Sequence, residues 1–175
     1  CAGILAEPLT RLGAHVMGID AGAKNIRIAR EHAETQNLDI AYKTATVEEQ
    51  AKGTQKFDIV IASEIIEHVA DPAYFLACCR TLLKKDGILI LSTINRNPKS
   101  YLFGIVAAEY LLRWLPVGTH DWKKFMRPSE VAKMLAQSGL SVRDISGIVY
   151  DPLKNTFGLN REDLGLNYIL TAAPH

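Results

Sequence analysis

Four runs along the chain carry apolar residues in the manner of strands: HVMGID (15–20), LDIAYKTA (38–45), FDIVIAS (57–63) and GILILSTIN (87–95). Longer segments of helical spacing separate them. NIRIAREHAETQ (25–36) sets Ile26, Ile28, Ala29 and Ala33 largely along one side. DPAYFLACCRTLLKKDG offers Asp71 as a cap, Pro72 in the first turn and Gly87 past the end. Strand and helix in alternation predict an α/β fold, a parallel sheet with crossover helices.

After Asn95 the pattern changes. RNPKS reads as a loop, YLFGIVAAEYLLRWLP (101–116) is unusually apolar, and VGTHDWKKFMRP is polar with aromatics interleaved, so residues 98–126 read as an insertion. A last helix is expected over RPSEVAKMLAQSG (127–139), followed by strands in LSVRDISGIVYDP and LNYILTAA. The opening CAGILAEPLTRLGA reads as the end of a Gly-rich turn entering a helix, without the strand that feeds such a turn. A crossover fold would then lack a central strand, so the expectation is a single domain over 1–175, N-terminally truncated, with about one crossover unit ahead of Cys1.

Composition narrows the classes. Nearly half of the 175 residues are apolar, enough for one sizeable core. Twenty basic against 19 acidic side chains leave no field to attract nucleic acid, which is not expected as a partner. Three cysteines, with Cys78 and Cys79 adjacent, form neither a disulfide framework nor a metal-binding pair, which suits a reducing compartment. No run reaches the roughly 20 apolar residues of a membrane-spanning helix.

Candidate chemistry gathers at the strand ends. Asp20 closes HVMGID, where an ionised carboxylate can accept both hydroxyls of a ribose; the plainer reading is a cap for the next helix. Gly3, one strand-helix unit upstream, adds weight to a nucleotide site. Thr46, Val47 and Glu48 follow LDIAYKTA, at the edge of an adenine site or in a capping box of Thr46 with Glu49. In ASEIIEHVADP, Ser63 and Glu64 sit at the carboxyl end of FDIVIAS, the edge where open parallel sheets hold ligands. A helix starting at Glu64 would put Glu67 and His68 on the same face, a set suited to Mg²⁺ or Mn²⁺ and able to hold Zn²⁺ or Fe²⁺. The alternative is a pair of acids at a helix N-terminus with a capping histidine. His120, in the GTHDW loop, is a candidate proton acceptor or a solvated loop histidine. Within 101–116, Glu109 and Arg113 form an i,i+4 pair on a narrow polar side, and the rest suits a core, a substrate pocket or a lipid interface. Lys99, Arg113, Lys123 and Lys124 with Tyr110, Trp114 and Trp122 supply an interfacial fringe.

In this order and spacing, AGILAEPLTRLGAHVMGID, TVEE, ASEIIEHVADP, STINRNPKS and VGTHDWKKF resemble the ubiquinone-biosynthesis O-methyltransferases, class I enzymes that use S-adenosylmethionine. The resemblance covers nearly the whole chain, and EIIEHV followed by STINRN and GTHDWKKF is its specific part. It implies a Rossmann-like, largely parallel sheet with an antiparallel last strand, and methyl transfer to a phenolic oxygen of a polyprenylated catechol or demethylubiquinol. It implies Gly3 in the cofactor turn, Asp20 on the ribose, Ser63 beside the cofactor, and Glu64, Glu67 and His68 as the divalent-metal motif, with Mg²⁺ as the expected ion. Cys1 and Ala2 stand where the family has the middle of its Gly-rich turn. His68, when not a ligand, or His120 would then be the general base. The resemblance further implies peripheral membrane contact and membership of a ubiquinone-synthesis complex. The matching location is the cytoplasmic face of a bacterial inner membrane or the matrix face of the mitochondrial one.

Two rivals share parts of this pattern. A nicotinamide dehydrogenase would use Asp20 and the alternating sheet but needs a hydride-transfer site, for which the chain offers no candidate. A non-catalytic lipid-binding or scaffold protein would explain the apolar insertion and leave Glu64, Glu67 and His68 without a task.

Overall fold

The architecture comes from a computed structural model, which describes residues 3–101, 121–151 and 154–175. The chain divides into two compact units, Cys1–Thr54 and Gln55–His175.

In the first unit, helix α1 (Ala6–Arg11) precedes strand β1 (Met17–Asp20), helix α2 (Ala23–Thr35), strand β2 (Ala41–Thr44) and helix α3 (Val47–Ala51). β1 and β2 pair in parallel from Met17↔Ala41 to Asp20↔Thr44, and α2 is the crossover that a parallel pair requires. α2 buries Ile26, Ala29 and Ala33 against Tyr42. Ile28, expected on that side, is 39% exposed, because a position two residues past Ile26 lies about 200° around the helix. The Tyr42 ring crosses Gly18, where a Cβ would come within 2.6 Å of a ring carbon.

The hydroxyl of Tyr42 is a buried polar atom with no hydrogen-bond partner. An unmet buried hydroxyl costs free energy, so Tyr42→Phe is expected to leave stability unchanged or raise it by about 1 kcal/mol. Urea unfolding measures this, and a clear loss of stability would show that the hydroxyl is bonded in solution.

The second unit runs β3 (Phe57–Ser63), α4 (Pro72–Leu82), β4 (Leu83–Ile94), α5 (Pro98–Ser100), α6 (Pro128–Gln137), β5 (Leu140–Asp151), β6 (Thr156–Asn160) and β7 (Asn167–Pro174). Single 3-10 turns occupy Ile66–His68 and Trp122–Lys124. The five strands form one sheet in the order β3-β4-β7-β5-β6. β3 and β4 are parallel, whereas β7, the last strand, inserts antiparallel between β4 and β5.

One face of this sheet carries a row of fully buried side chains, Leu89, Leu91 and Thr93 on β4 opposite Ala172, Leu170 and Tyr168 on β7. α4 and α6 pack on the sheet and on each other, adding Phe75, Leu76, Leu82, Val131 and Leu135 to the core. Each such side chain contributes roughly 1.5–3 kcal/mol through burial. The row is apolar toward the start of β4 and turns polar at its carboxyl end. That gradient brings hydrogen-bonding groups to the ligand edge of the sheet.

β1 and β2 are shorter than the runs 15–20 and 38–45, a helical turn stands in RNPKS, and the larger differences from expectation lie at the end of α4, the start of β4 and β6. α4 begins as expected, with Asp71 accepting from the Tyr74 N–H at 3.0 Å, but it stops at Leu82 rather than running toward Gly87. Leu83 already pairs with Phe57, and Gly87 lies inside β4, where a Cβ would come 3.0 Å from the Phe57 carbonyl oxygen. β6 was not anticipated: all five of its residues are exposed, so no burial pattern marks it.

Candidate active site

In the first unit the carboxyl end of β1 presents Asp20. Its Oδ1 accepts from the Gly22 N–H at 2.7 Å, and the Asn25 amide reaches both carboxylate oxygens at 3.2 and 3.1 Å. Partial burial, the largest single influence, pushes this carboxyl up, the bonds from Gly22 and Asn25 are among the influences that pull it down, and the net position lies below its ordinary value. Asp20 is therefore an ionised acceptor at a strand end, and it also braces the start of α2. Gly3 has φ +87°, and a Cβ there would meet the Tyr42 hydroxyl at 2.6 Å. Both constraints require glycine. Glu7 is buried behind this turn and bonds His32 Nδ1 at 2.5 Å, a pairing 25 residues apart that local pattern could not reveal.

After β2, Thr46 forms the capping box with Glu49. Its Oγ1 accepts from the Glu49 N–H at 3.2 Å, and Glu49 Oε2 accepts from the Thr46 N–H at 2.9 Å. The Thr46 side chain is thus engaged in helix capping. Val47, half-buried, opens α3.

In the second unit the polar groups converge where β3 and β4 end together. Ser63 and Ser92 are register partners, with hydroxyls 2.9 Å apart. Glu64 follows with φ +49°, a left-handed conformation rarely adopted by a residue with a side chain, and its N–H donates to the Ser92 carbonyl at 3.0 Å. That reversal ends the strand and prevents an α-helix from starting at Glu64. Only a 3-10 turn follows, closed by the His68 N–H donating to the Ile65 carbonyl at 2.9 Å.

The expected metal triplet is altered as a result. Glu67 is 4% exposed and accepts from Thr93 Oγ1 at 2.8 Å. Glu64 lies against Glu67 and Ser92, and its carboxyl is pushed up to about 7, by burial first and then by the neighbouring Glu67, against a lowering bond to Ser92. His68 is exposed and does not join them. In a 3-10 turn, with three residues per turn, adjacent side chains diverge by about 120°, so Glu67 faces inward while His68 faces out. The described residues contain no group of three His, Cys, Asp or Glu side chains placed to hold a metal. His120, the other candidate base, lies outside the described residues, as does most of the apolar segment with Glu109 and Arg113.

Two further groups went unnoticed in the sequence. Thr93 fixes Glu67, and fully buried Tyr168 donates its hydroxyl to the Met126 carbonyl at 3.1 Å. Burial, with the charges of Glu130, Glu67 and Glu64, drives the Tyr168 phenol well above its usual range, so it remains a donor.

The described ends of the insertion are fastened beside this edge. The Asn95 amide donates to Leu164 O at 2.7 Å, the Asn97 amide to Gly165 O at 3.0 Å, and the Trp122 indole to Asn97 O at 3.3 Å. Tyr101 and Trp122 meet edge to face with ring centroids 5.9 Å apart. Arg96 pairs with Glu130. No helix among the described residues is long and apolar enough to cross a membrane.

A parallel crossover ending in an acid, and a mixed sheet with an antiparallel last strand, are the elements of the Rossmann-like fold that class I methyltransferases use. The family model for a methyltransferase domain matches residues 2–145. Among solved structures, a magnesium protoporphyrin IX methyltransferase from Synechocystis with bound SAH superposes with a TM-score of 0.72 at 19% identity, covering 99% of this chain and 70% of that one. The CcbJ methyltransferase from Streptomyces caelestis does so with a TM-score of 0.72 at 15% identity, covering 99% and 85%. The same fold is shared by the [4+2]-cyclase SpnF, at a TM-score of 0.72 and 14% identity, covering 99% of this chain and 72% of that one, so architecture alone does not fix the activity.

Sequence is more specific. A ubiquinone biosynthesis O-methyltransferase of Dinoroseobacter shibae is 49% identical over 167 residues, which is 95% of this chain and 67% of that protein. Another of Nitrobacter winogradskyi is 48% identical, covering 98% of this chain and 65% of the relative. The chain belongs to the ubiquinone biosynthesis O-methyltransferases and is an S-adenosylmethionine-dependent enzyme.

Proposed function

We propose that the enzyme methylates a phenolic hydroxyl on a polyprenylated catechol or demethylubiquinol, with the Glu64–Glu67 pair holding and ionising that hydroxyl. The observation that carries this reading is a buried carboxylate against a second carboxyl, at the carboxyl ends of two parallel strands. S-adenosylmethionine supplies a methyl group on a sulfonium, an electrophile that needs an aligned oxygen nucleophile. A phenol titrating near ~10 is mostly protonated at neutral pH, so the site must remove its proton. Glu64, with a carboxyl at about 7, is matched to accept that proton, a task expected of His68 or His120. Glu67, bonded by Thr93, orients the neighbouring hydroxyl of the catechol. The resemblance assigns Asp20 to the ribose, Gly3 to the cofactor turn and Ser63 to the cofactor's neighbourhood, and strand-end position adds Thr46 and Val47 as cofactor residues.

The two carboxyl groups also fit a divalent cation. Mg²⁺ is commonly bound through one or two carboxylates with other oxygens completing its shell, and two acids pressed together gain from a cation between them. Glu64 and Glu67 would hold it, without His68. Bound there, Mg²⁺ would lower the phenol's pKa and fix both catechol oxygens.

The apolar and aromatic residues of 98–126 are assigned to the prenyl tail and to peripheral membrane contact, at the cytoplasmic face of a bacterial inner membrane or its mitochondrial counterpart. Assembly with other ubiquinone-synthesis proteins fits the same location.

Labelled methyl transfer tests the reading. A short-tailed demethylubiquinol analogue is expected to accept label from S-adenosylmethionine, and the same ring without the target hydroxyl is expected to take none. S-adenosylhomocysteine should bind and NADH should not. Binding of S-adenosylhomocysteine and of vesicles with no transfer to any catechol would favour a non-catalytic lipid-binding role.

A further inference from the structure

Resting on the reading of Glu67 above, we propose that Thr93 is a positioning residue for the reaction, its hydroxyl fixing the Glu67 carboxylate in the orientation the nucleophile requires. Thr93 is fully buried and ends the row Leu89, Leu91, Thr93 on the covered face of the sheet. Valine has the same shape and would suit that core better, since a buried hydroxyl is unfavourable unless bonded. The hydroxyl has a partner, Glu67 Oε2 at 2.8 Å, 26 residues away. A hydroxyl donating to a carboxylate makes a charge-assisted bond, stronger than a neutral one.

The turn that carries Glu67 is only three residues long, so its own backbone does little to fix a long side chain. Thr93 anchors that side chain to the end of β4, a strand paired on both sides by β3 and β7. Ser92, the preceding residue, is within hydrogen-bonding reach of Glu64. Consecutive strand residues point to opposite faces, so β4 addresses the two acids through two separate hydroxyls.

Thr93→Val and Thr93→Ser separate this role from packing, because valine keeps the shape and loses the donor, while serine keeps the donor and loses a methyl. With thermal melts confirming the fold, Thr93→Val is expected to lower kcat about 10- to 100-fold, leaving KM for the methyl donor and the affinity for S-adenosylhomocysteine within about twofold. Thr93→Ser is expected to stay within about threefold of the parent kcat. In metal-free protein, the infrared carboxylate band that Glu67→Gln removes should shift in Thr93→Val and hold its position in Thr93→Ser. Wild-type turnover in Thr93→Val, or equal losses in both variants, would overturn the proposal. Glu67→Gln assayed alongside distinguishes the two levels. Full activity there removes the reading of Glu67 itself, whereas an inactive Glu67→Gln beside an active Thr93→Val removes only the role of Thr93.

Discussion

Glu67→Ala lowers turnover about 10²- to 10⁴-fold, the range typical of removing a group that handles a proton or orients a nucleophile. Affinity for S-adenosylhomocysteine should remain near that of the parent, because cofactor binding is assigned to Asp20, Gly3, Thr46, Val47 and Ser63. Two causes act together. The substrate's second hydroxyl loses its acceptor, and Glu64 loses the neighbour that helps to raise its carboxyl. The truncation also leaves the Thr93 hydroxyl unpaired in a fully buried position, costing about 1–3 kcal/mol of stability. Glu67→Gln fills the same volume and still accepts from Thr93, so it should share the catalytic loss with a smaller loss of stability. Steady-state kinetics and calorimetric titration read both, and unchanged kcat at saturating Mg²⁺ would remove Glu67 from the mechanism.

Stability and activity should respond to pH in opposite directions through the single carboxyl of Glu64. In the folded enzyme it titrates at about 7, against an ordinary value of 4.5. Between these values the folded state retains a proton that the unfolded chain releases, so stability falls as pH rises through the window and is level on either side. Allowing for partial solvent access, the loss amounts to about 2–3 kcal/mol, visible as a lower urea midpoint at pH 8 than at pH 5. Catalysis runs the other way, because only ionised Glu64 can take a proton, and kcat/KM should rise through about 7 and then level. Glu64→Gln imitates the protonated form. It should lose this part of the stability slope and most of the activity, and be the more stable protein at pH 8. A divalent cation on the pair favours the ionised form, so added Mg²⁺ should flatten the slope in the parent and leave Glu64→Gln unaffected. A urea midpoint indifferent to pH in both proteins would show that Glu64 is not perturbed.

Much of the fold was legible from local signals. FDIVIAS became β3 with the expected limits, Asp71 caps α4, and Thr46 with Glu49 forms the box read from four residues. Each depends on interactions within a few positions. The errors share the opposite origin. β6 is held by pairing with β5, and its alternating Phe157 and Leu159 remain exposed, so only two apolar residues mark it in the sequence. The start of β4 is set by Leu83 finding Phe57, against a helical spacing that continues past it.

At the site, residue types and strand-end positions were readable, but the angular relation of Glu64, Glu67 and His68 was not. It turns on one left-handed residue, Glu64, where nothing in the side chain announces the conformation. The hydroxyls that organise the acids belong to Ser92 and Thr93, more than two dozen positions away in the chain. They resemble any serine and threonine in a buried strand.

The edge-to-face contact between Tyr101 and Trp122 brings the two flanks of residues 102–120 to one place on the frame. With its ends already joined there, a longer or shorter stretch between them changes the closure entropy by only about 0.6 kcal/mol per doubling of length. A change in the number of residues between these two flanks is therefore inexpensive for the fold, and the strands that carry Ser63, Ser92 and Thr93 need not alter with it.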